Sequence, residues 1–140
     1  MSTNSRISII KKNEKISSIY CNWEGFPQHQ GAMLLEHYNS EEKAKEIIAL
    51  GDLSILNAQL YPSEKHSFAD PQGGVTIAYH RDRKEKLRIA KHRTLAEYEK
   101  SYLFDKVNYN YLWSGKWLVF DKYGKKKWLE LTENIVKYGL

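Results

Sequence analysis

The sequence predicts an α+β fold in which antiparallel β-hairpins form a small sheet packed against three to four helices. Three observations predict it. Runs of β-branched and aromatic residues of strand length lie near both ends of the chain, apolar residues recur at helical spacing between them, and Gly, Pro, Asn and Ser punctuate the boundaries. With 140 residues, 41% of them hydrophobic and 28% charged, residues 1–140 read as a single domain with one core, well away from the composition of a disordered chain.

Ser5 to Trp23 reads as a hairpin, because Ile7, Ile9, Ile16, Ile19 and Tyr20 favour strand and Asn13-Glu14 supplies a turn between Lys-rich ends. Gly25, Pro27 and Gly31 then break any regular pattern and leave a short aromatic loop carrying Trp23 and Phe26. Met33, Leu34, His37 and Tyr38 fit a helical face within residues 31–38. Ser40 is an N-cap for a second helix with Glu41 and Glu42 in its first turn and Ala44, Ile47 and Ile48 as its buried stripe, closed by Gly51. A helix-turn-helix that reads DNA wants basic residues early on its second helix, where Glu41 and Glu42 would repel phosphate.

Residues 52–74 contain Pro62, Pro71 and Gly73-Gly74 around short apolar clusters and read as a long, partly ordered loop. Val75 to His80 reads as a strand that delivers its end to a basic segment, with Tyr79 and Arg81 on one face and His80 on the other. Thr94 and Glu97 form a capping box for a helix over 95–103, with Leu95, Tyr98 and Tyr102 on its apolar face. Val107, Tyr109, Tyr111 and Trp113 alternate strictly, Ser114-Gly115 turns, and Lys116 to Asp121 returns, which predicts a second hairpin. After Tyr123-Gly124, the spacing of Trp128, Leu131, Ile135 and Tyr138 suits a final helix, with a third strand over 126–131 as the alternative.

The net charge of +5 is local: Arg81 to Arg93 holds seven Lys or Arg against two acids, and the rest of the chain is balanced. A concentrated patch steers anionic partners, whereas a spread excess affects mainly solubility. Within it, Tyr79-His80-Arg81-Asp82-Arg83 places an aromatic ring, an imidazole and two guanidiniums in five consecutive residues. Guanidinium suits bidentate phosphate binding and tyrosine can stack on a base. Asp82 leaves a second reading open, an internal Arg–Asp network. His66 and His80 could act as paired acid and base on a phosphodiester if the fold brings them together.

Other chemistries are thinly supported. Cys21 is the only cysteine, so an intrachain disulfide and a thiolate-rich zinc site are excluded, and its strand setting suggests a small buried residue. His29 and His37 are not spaced as helical metal ligands and lack a completing carboxylate, so no metal or cofactor is expected. No phosphate-binding glycine loop occurs. No apolar run is long enough for a membrane span, and the polar start Met1 to Arg6 lacks the apolar stretch of a secretory signal, which points to the cytoplasm.

The segments Tyr20-Cys21-Asn22-Trp23-Glu24-Gly25-Phe26-Pro27, Leu34-Leu35-Glu36-His37-Tyr38, Leu50-Gly51-Asp52-Leu53-Ser54, His66-Ser67-Phe68 and Tyr79-His80-Arg81-Asp82-Arg83 resemble, in this order, a family of small uncharacterised phage and prophage proteins with a YC-x-W-[DE]-G-[YF]-P motif. Relatives more often carry His at the position of Asn22, Asp at Glu24 and Tyr at Phe26. The resemblance implies a context, that of a phage accessory protein acting against host defence in the host cytosol, and no residue-level activity.

The expected function is therefore binding without catalysis. Arg81, Arg83 and Lys84 would contact the phosphate of a nucleotide or nucleic acid, Trp23, Phe26 and Tyr79 would stack on bases, and His66 and His80 would line the site. The alternatives are an inhibitor whose basic strip docks on an acidic face of a host defence protein, and a histidine-dependent phosphodiesterase. No membrane partner is expected, and self-association is left open.

Overall fold

The computed structural model describes residues 2–140. In chain order the strands are β1 (Ser5–Ile10), β2 (Ile16–Cys21), β3 (Leu53–Ile55), β4 (Ile77–Ala78), β5 (Ala90–His92), β6 (Tyr109–Trp113), β7 (Trp117–Phe120) and β8 (Trp128–Glu130). The helices are α1 (Ala32–His37), α2 (Glu41–Ala49), α3 (Tyr79–Arg83), α4 (Leu95–Glu99), α5 (Tyr102–Asp105) and α6 (Glu133–Tyr138), and a π-helical turn, Pro27–Gly31, runs directly into α1. The fold is α+β.

All eight strands belong to one sheet, ordered β4-β3-β2-β1-β6-β7-β8, with β5 alongside the start of β2. Both predicted hairpins form: β1 with β2, turning through Glu14 at φ 64°, and β6 with β7, turning through Gly115 at φ 76°. They are joined by a parallel pairing of β1 with β6 that local sequence does not announce, and β2 also pairs parallel with β3. The N-terminal strand is thus central.

Strand alternation gives the sheet two different faces. On one, Ile7, Ile9, Ile19 and Cys21 meet Leu34 and Tyr38, Ala44, Ile47 and Ile48 of α2, and Trp113, Trp117 and Leu131, with Met33, Ile135 and Val136 at the margin. This is the main core. Each fully buried aliphatic side chain there contributes about 2 kcal/mol, which is what holds helices too short to persist alone.

The other face is smaller and partly polar. Ile16, Tyr98 and Phe104 form its apolar centre under α4 and α5. Beside them Ser8 donates to the Tyr98 hydroxyl at 2.9 Å, the Tyr98 hydroxyl lies 3.3 Å from Asn110 Oδ1, and Asn110 donates to the Phe104 carbonyl. Arg6, only 4% exposed, lies on this face with its guanidinium on Ser18.

Several predicted elements change. The strand expected over 75–80 is reduced to β4, because Asp82 Oδ2 accepts the Ala78 N–H at 2.8 Å and the chain winds into α3. The face alternation of Tyr79, His80 and Arg81 goes with it. The helix expected over 95–103 is broken in two: Thr94 caps α4 as predicted, but the Ser101 hydroxyl bonds the Tyr98 carbonyl and caps α5 afresh. At the C-terminus the strand alternative forms, β8 pairing with β7, and α6 starts only after the Thr132 cap. The long loop contains β3, and the aromatic loop at 25–31 is largely the π-helical turn.

Candidate functional site

The Tyr79–Arg83 turn is built around one buried carboxylate. Arg81 Nε and Nη2 grip the two Asp82 oxygens at 2.9 and 3.0 Å, Nη1 donates to the Leu60 carbonyl and Nη2 to the Thr76 carbonyl, each at 2.7 Å. Burial works to raise the Asp82 carboxyl, but the bonds from Arg81 and the Ala78 amide, with His66 close by, outweigh it and hold the group below its ordinary value. The Arg81 guanidinium is therefore spent on its own chain, and the expectation that it clamps an outside phosphate gives way to the internal Arg–Asp network. Its neighbour Arg83 lies over the Phe68 ring at 4.3 Å and the Tyr79 ring at 4.8 Å, paired with Glu85. Tyr79 is half-buried, packed on Phe68 and with Arg83 over its ring.

The two histidines sit in different surroundings. His66 has a side chain only 1% exposed, its Nδ1 accepts the Gln72 N–H at 3.0 Å, and its Nε2 lies 3.1 Å from Asp82 Oδ2 but off the hydrogen-bonding axis. A ring whose Nδ1 accepts an amide proton carries its own proton on Nε2. His66 thus ties the long loop to α3. His80 is exposed, with Nδ1 at 2.6 Å from the Glu85 carbonyl oxygen. Lys84 is also exposed and closes α3 in the left-handed region at φ 56°. Trp23 remains 45% exposed while Phe26 is half-buried beside the π-helical turn.

None of these residues lines the clefts at the basic end of the sheet. One, about 630 Å³, lies between α2 and the turn end of the β1–β2 hairpin. Ile9, Ile10, Ile48, Ala49 and Ile89 make an apolar floor, and Lys11, Lys12, Lys45 and Lys91 rim it against a single acid, Glu41. Lys45 pairs with Glu41 at 3.4 Å, but both side chains are more than half exposed, so the pairing is weak and screened. The groove continues around the hairpin into a cleft of about 290 Å³ bearing Lys15, His92 and Arg93. On the opposite face a third cleft, about 360 Å³, is lined by Arg6, Asp52, Leu103 and residues 86–90.

No known protein family, curated protein or solved structure matches the chain. The site must be read from its own chemistry. The basic segment divides in two: Arg81 and Arg83 hold the protein together, while Lys91 and Arg93 join lysines from the β1–β2 turn and α2 to make the open cationic surface. Sequence reasoning missed Lys11, Lys12, Lys15 and Lys45 as site residues. The signal was present in the Lys-rich ends of the first turn, but nothing local links residue 11 to residue 91. Antiparallel pairing of β2 with β5, Ser17 opposite Lys91, makes that link.

Proposed function

We propose that this chain is a non-enzymatic binding protein of the phage accessory type that takes a phosphate-bearing ligand, a nucleotide or a nucleic acid, in the lysine-rimmed groove. The observation that carries the reading is the pairing of four ammonium groups with an apolar floor in one concave surface. Ammonium groups attract phosphate at long range, and an apolar floor accepts the face of a base or sugar, so the two features together suit an amphiphilic anion. A catalytic reading has less support, since His66 is sealed against Asp82 and shares none of the three clefts with His80.

Fluorescence anisotropy with a labelled single-stranded oligonucleotide, repeated over a range of salt concentrations, tests this. Affinity should fall linearly on a log–log plot, and Lys11→Glu with Lys91→Glu should weaken binding more than about tenfold and reduce the slope by roughly one for each phosphate left without its lysine. A flat salt response, or unchanged binding by the double variant, overturns the proposal. Saturable binding of a mononucleotide separates a nucleotide site from a strip that docks on an acidic protein surface.

A further inference from the structure

Among the described residues Arg6 is the most deeply buried Lys or Arg, and no carboxylate pairs with it. Only 4% of it is exposed, and its guanidinium meets only neutral oxygens: Nε donates to the Ser18 hydroxyl at 3.2 Å, Nη2 to the same hydroxyl at 3.0 Å and to the Ser18 carbonyl at 3.2 Å, and the Tyr98 hydroxyl stands beside it. Arginine stays protonated in proteins, so the charge cannot be relieved by losing a proton. A buried charge is costly unless it is paired as well as hydrogen-bonded, and serine oxygens supply only the hydrogen bonds.

Nη1 makes no hydrogen bond within the described residues. It is also not among the sealed, unpartnered polar atoms, which are Glu46 Oε2, His66 Nε2, His92 Nδ1 and Trp113 Nε1. This nitrogen is therefore not fully sealed, and Arg6 lines the cleft of about 360 Å³ between residues 86–90, Asp52 and Leu103. Lys86 and Arg88, both exposed, add two cations to the same cleft. Against them stand Asp52, whose Oδ1 accepts the Tyr20 N–H at 2.9 Å, and Glu85, which reaches Arg88 at 4.0 Å from outside.

We propose that this cleft is a second anion site, on the opposite face of the sheet from the lysine groove, in which Arg6 receives one phosphate group and Lys86 and Arg88 close over it. A guanidinium with a free N–H edge in a partly desolvated cleft is a strong receptor for a tetrahedral oxyanion. The phosphate comes either free or as a monoester, and the two sources are separable by experiment.

The test is a two-dimensional amide NMR titration of the native protein with inorganic phosphate, against chloride at equal ionic strength. Saturable shifts at the amides of Arg6, Ser18 and Arg88 to Ala90, and at Arg6 Nε–H, are expected with phosphate only. Shifts confined to the lysine groove, or equal shifts with chloride, overturn the proposal. Arg6→Gln should weaken phosphate binding about tenfold or more, while the Lys11→Glu, Lys91→Glu protein should keep it, so the two sites stand or fall separately. Should Arg6→Gln fail to fold, the surface pair Lys86→Glu and Arg88→Glu gives the same loss, and undiminished phosphate binding by that protein contradicts the assignment. A nucleoside monophosphate that shifts Leu103 and Leu87 as well identifies an ester as the ligand; phosphate binding alone identifies the free ion.

Discussion

For a single residue, the fate of a charge depends on what reaches it. Arg81 and Lys91 lie in the same basic stretch, but carbonyls of Leu60 and Thr76 arrive at Arg81 whereas Lys91 faces a groove. Asp82 is the pivot of the first arrangement. Its carboxyl is held low in the folded state, so it contributes stability that is present above its unfolded value near 3.8 and is lost as pH falls through the folded value. Asp82→Ala should destabilise the protein by about 3 kcal/mol, since it leaves Arg81 unpaired in a largely buried site. It should also flatten the acid limb of the stability profile below about pH 4. Urea unfolding followed by tryptophan fluorescence between pH 3 and 7 measures both effects, and a variant with the wild-type acid limb would show that Asp82 is not the group responsible.

Among the strands and helices, most predicted pieces form because their signals are local. Ser40 accepts the Lys43 amide, Thr94 accepts the Glu97 amide, and Gly51 ends α2 at φ 75°. Where prediction failed, a side chain overrode the pattern: Ser101 interrupts a helix whose apolar spacing is intact, and Asp82 draws the end of a β-favouring run into α3. Gly51 has a second role. A Cβ there would lie 2.7 Å from Leu87 Cδ1 and 3.1 Å from the Arg88 carbonyl oxygen, so the close passage of residues 87–88 beside α2 requires glycine. Gly51→Ala should cost about 1–3 kcal/mol through the left-handed backbone, and by displacing residues 87–88 it should also weaken ligand binding in both clefts. Thermal melts with the anisotropy assay check this, and an alanine variant with wild-type stability would refute the packing argument.

Across the entire fold, the central strands bind the two halves of the chain, β1 receiving β2 on one side and β6 on the other. Cys21 at the end of β2 reports on that centre. It is fully buried, and burial pushes its thiol up to about 12 despite its hydrogen-bonding neighbours. At neutral pH the native protein should therefore resist thiol reagents, and labelling should occur only through opening of the sheet. The labelling rate should rise with urea in step with unfolding seen by tryptophan fluorescence; rapid labelling without denaturant would mean that the β2–β3 junction opens locally. The sheet also places two cationic surfaces back to back, the lysine groove by α2 and the Arg6 cleft by α5, with Ile89 lining both.

The α+β class, the two hairpins, the helix caps, the buried stripe of α2 and the burial of Cys21 are all legible in the order of residues, because each follows from periodicity, turn chemistry or capping within a few positions. Which cations stay free is a tertiary outcome. Arg81 is satisfied by a carbonyl 21 residues away, Lys11 and Lys91 meet only when β5 joins β2, and Arg6 looks like an ordinary strand residue until α5 and residues 86–90 cover it. Charge is written locally, but its solvation and pairing are set by contacts distant in sequence, and binding depends on those.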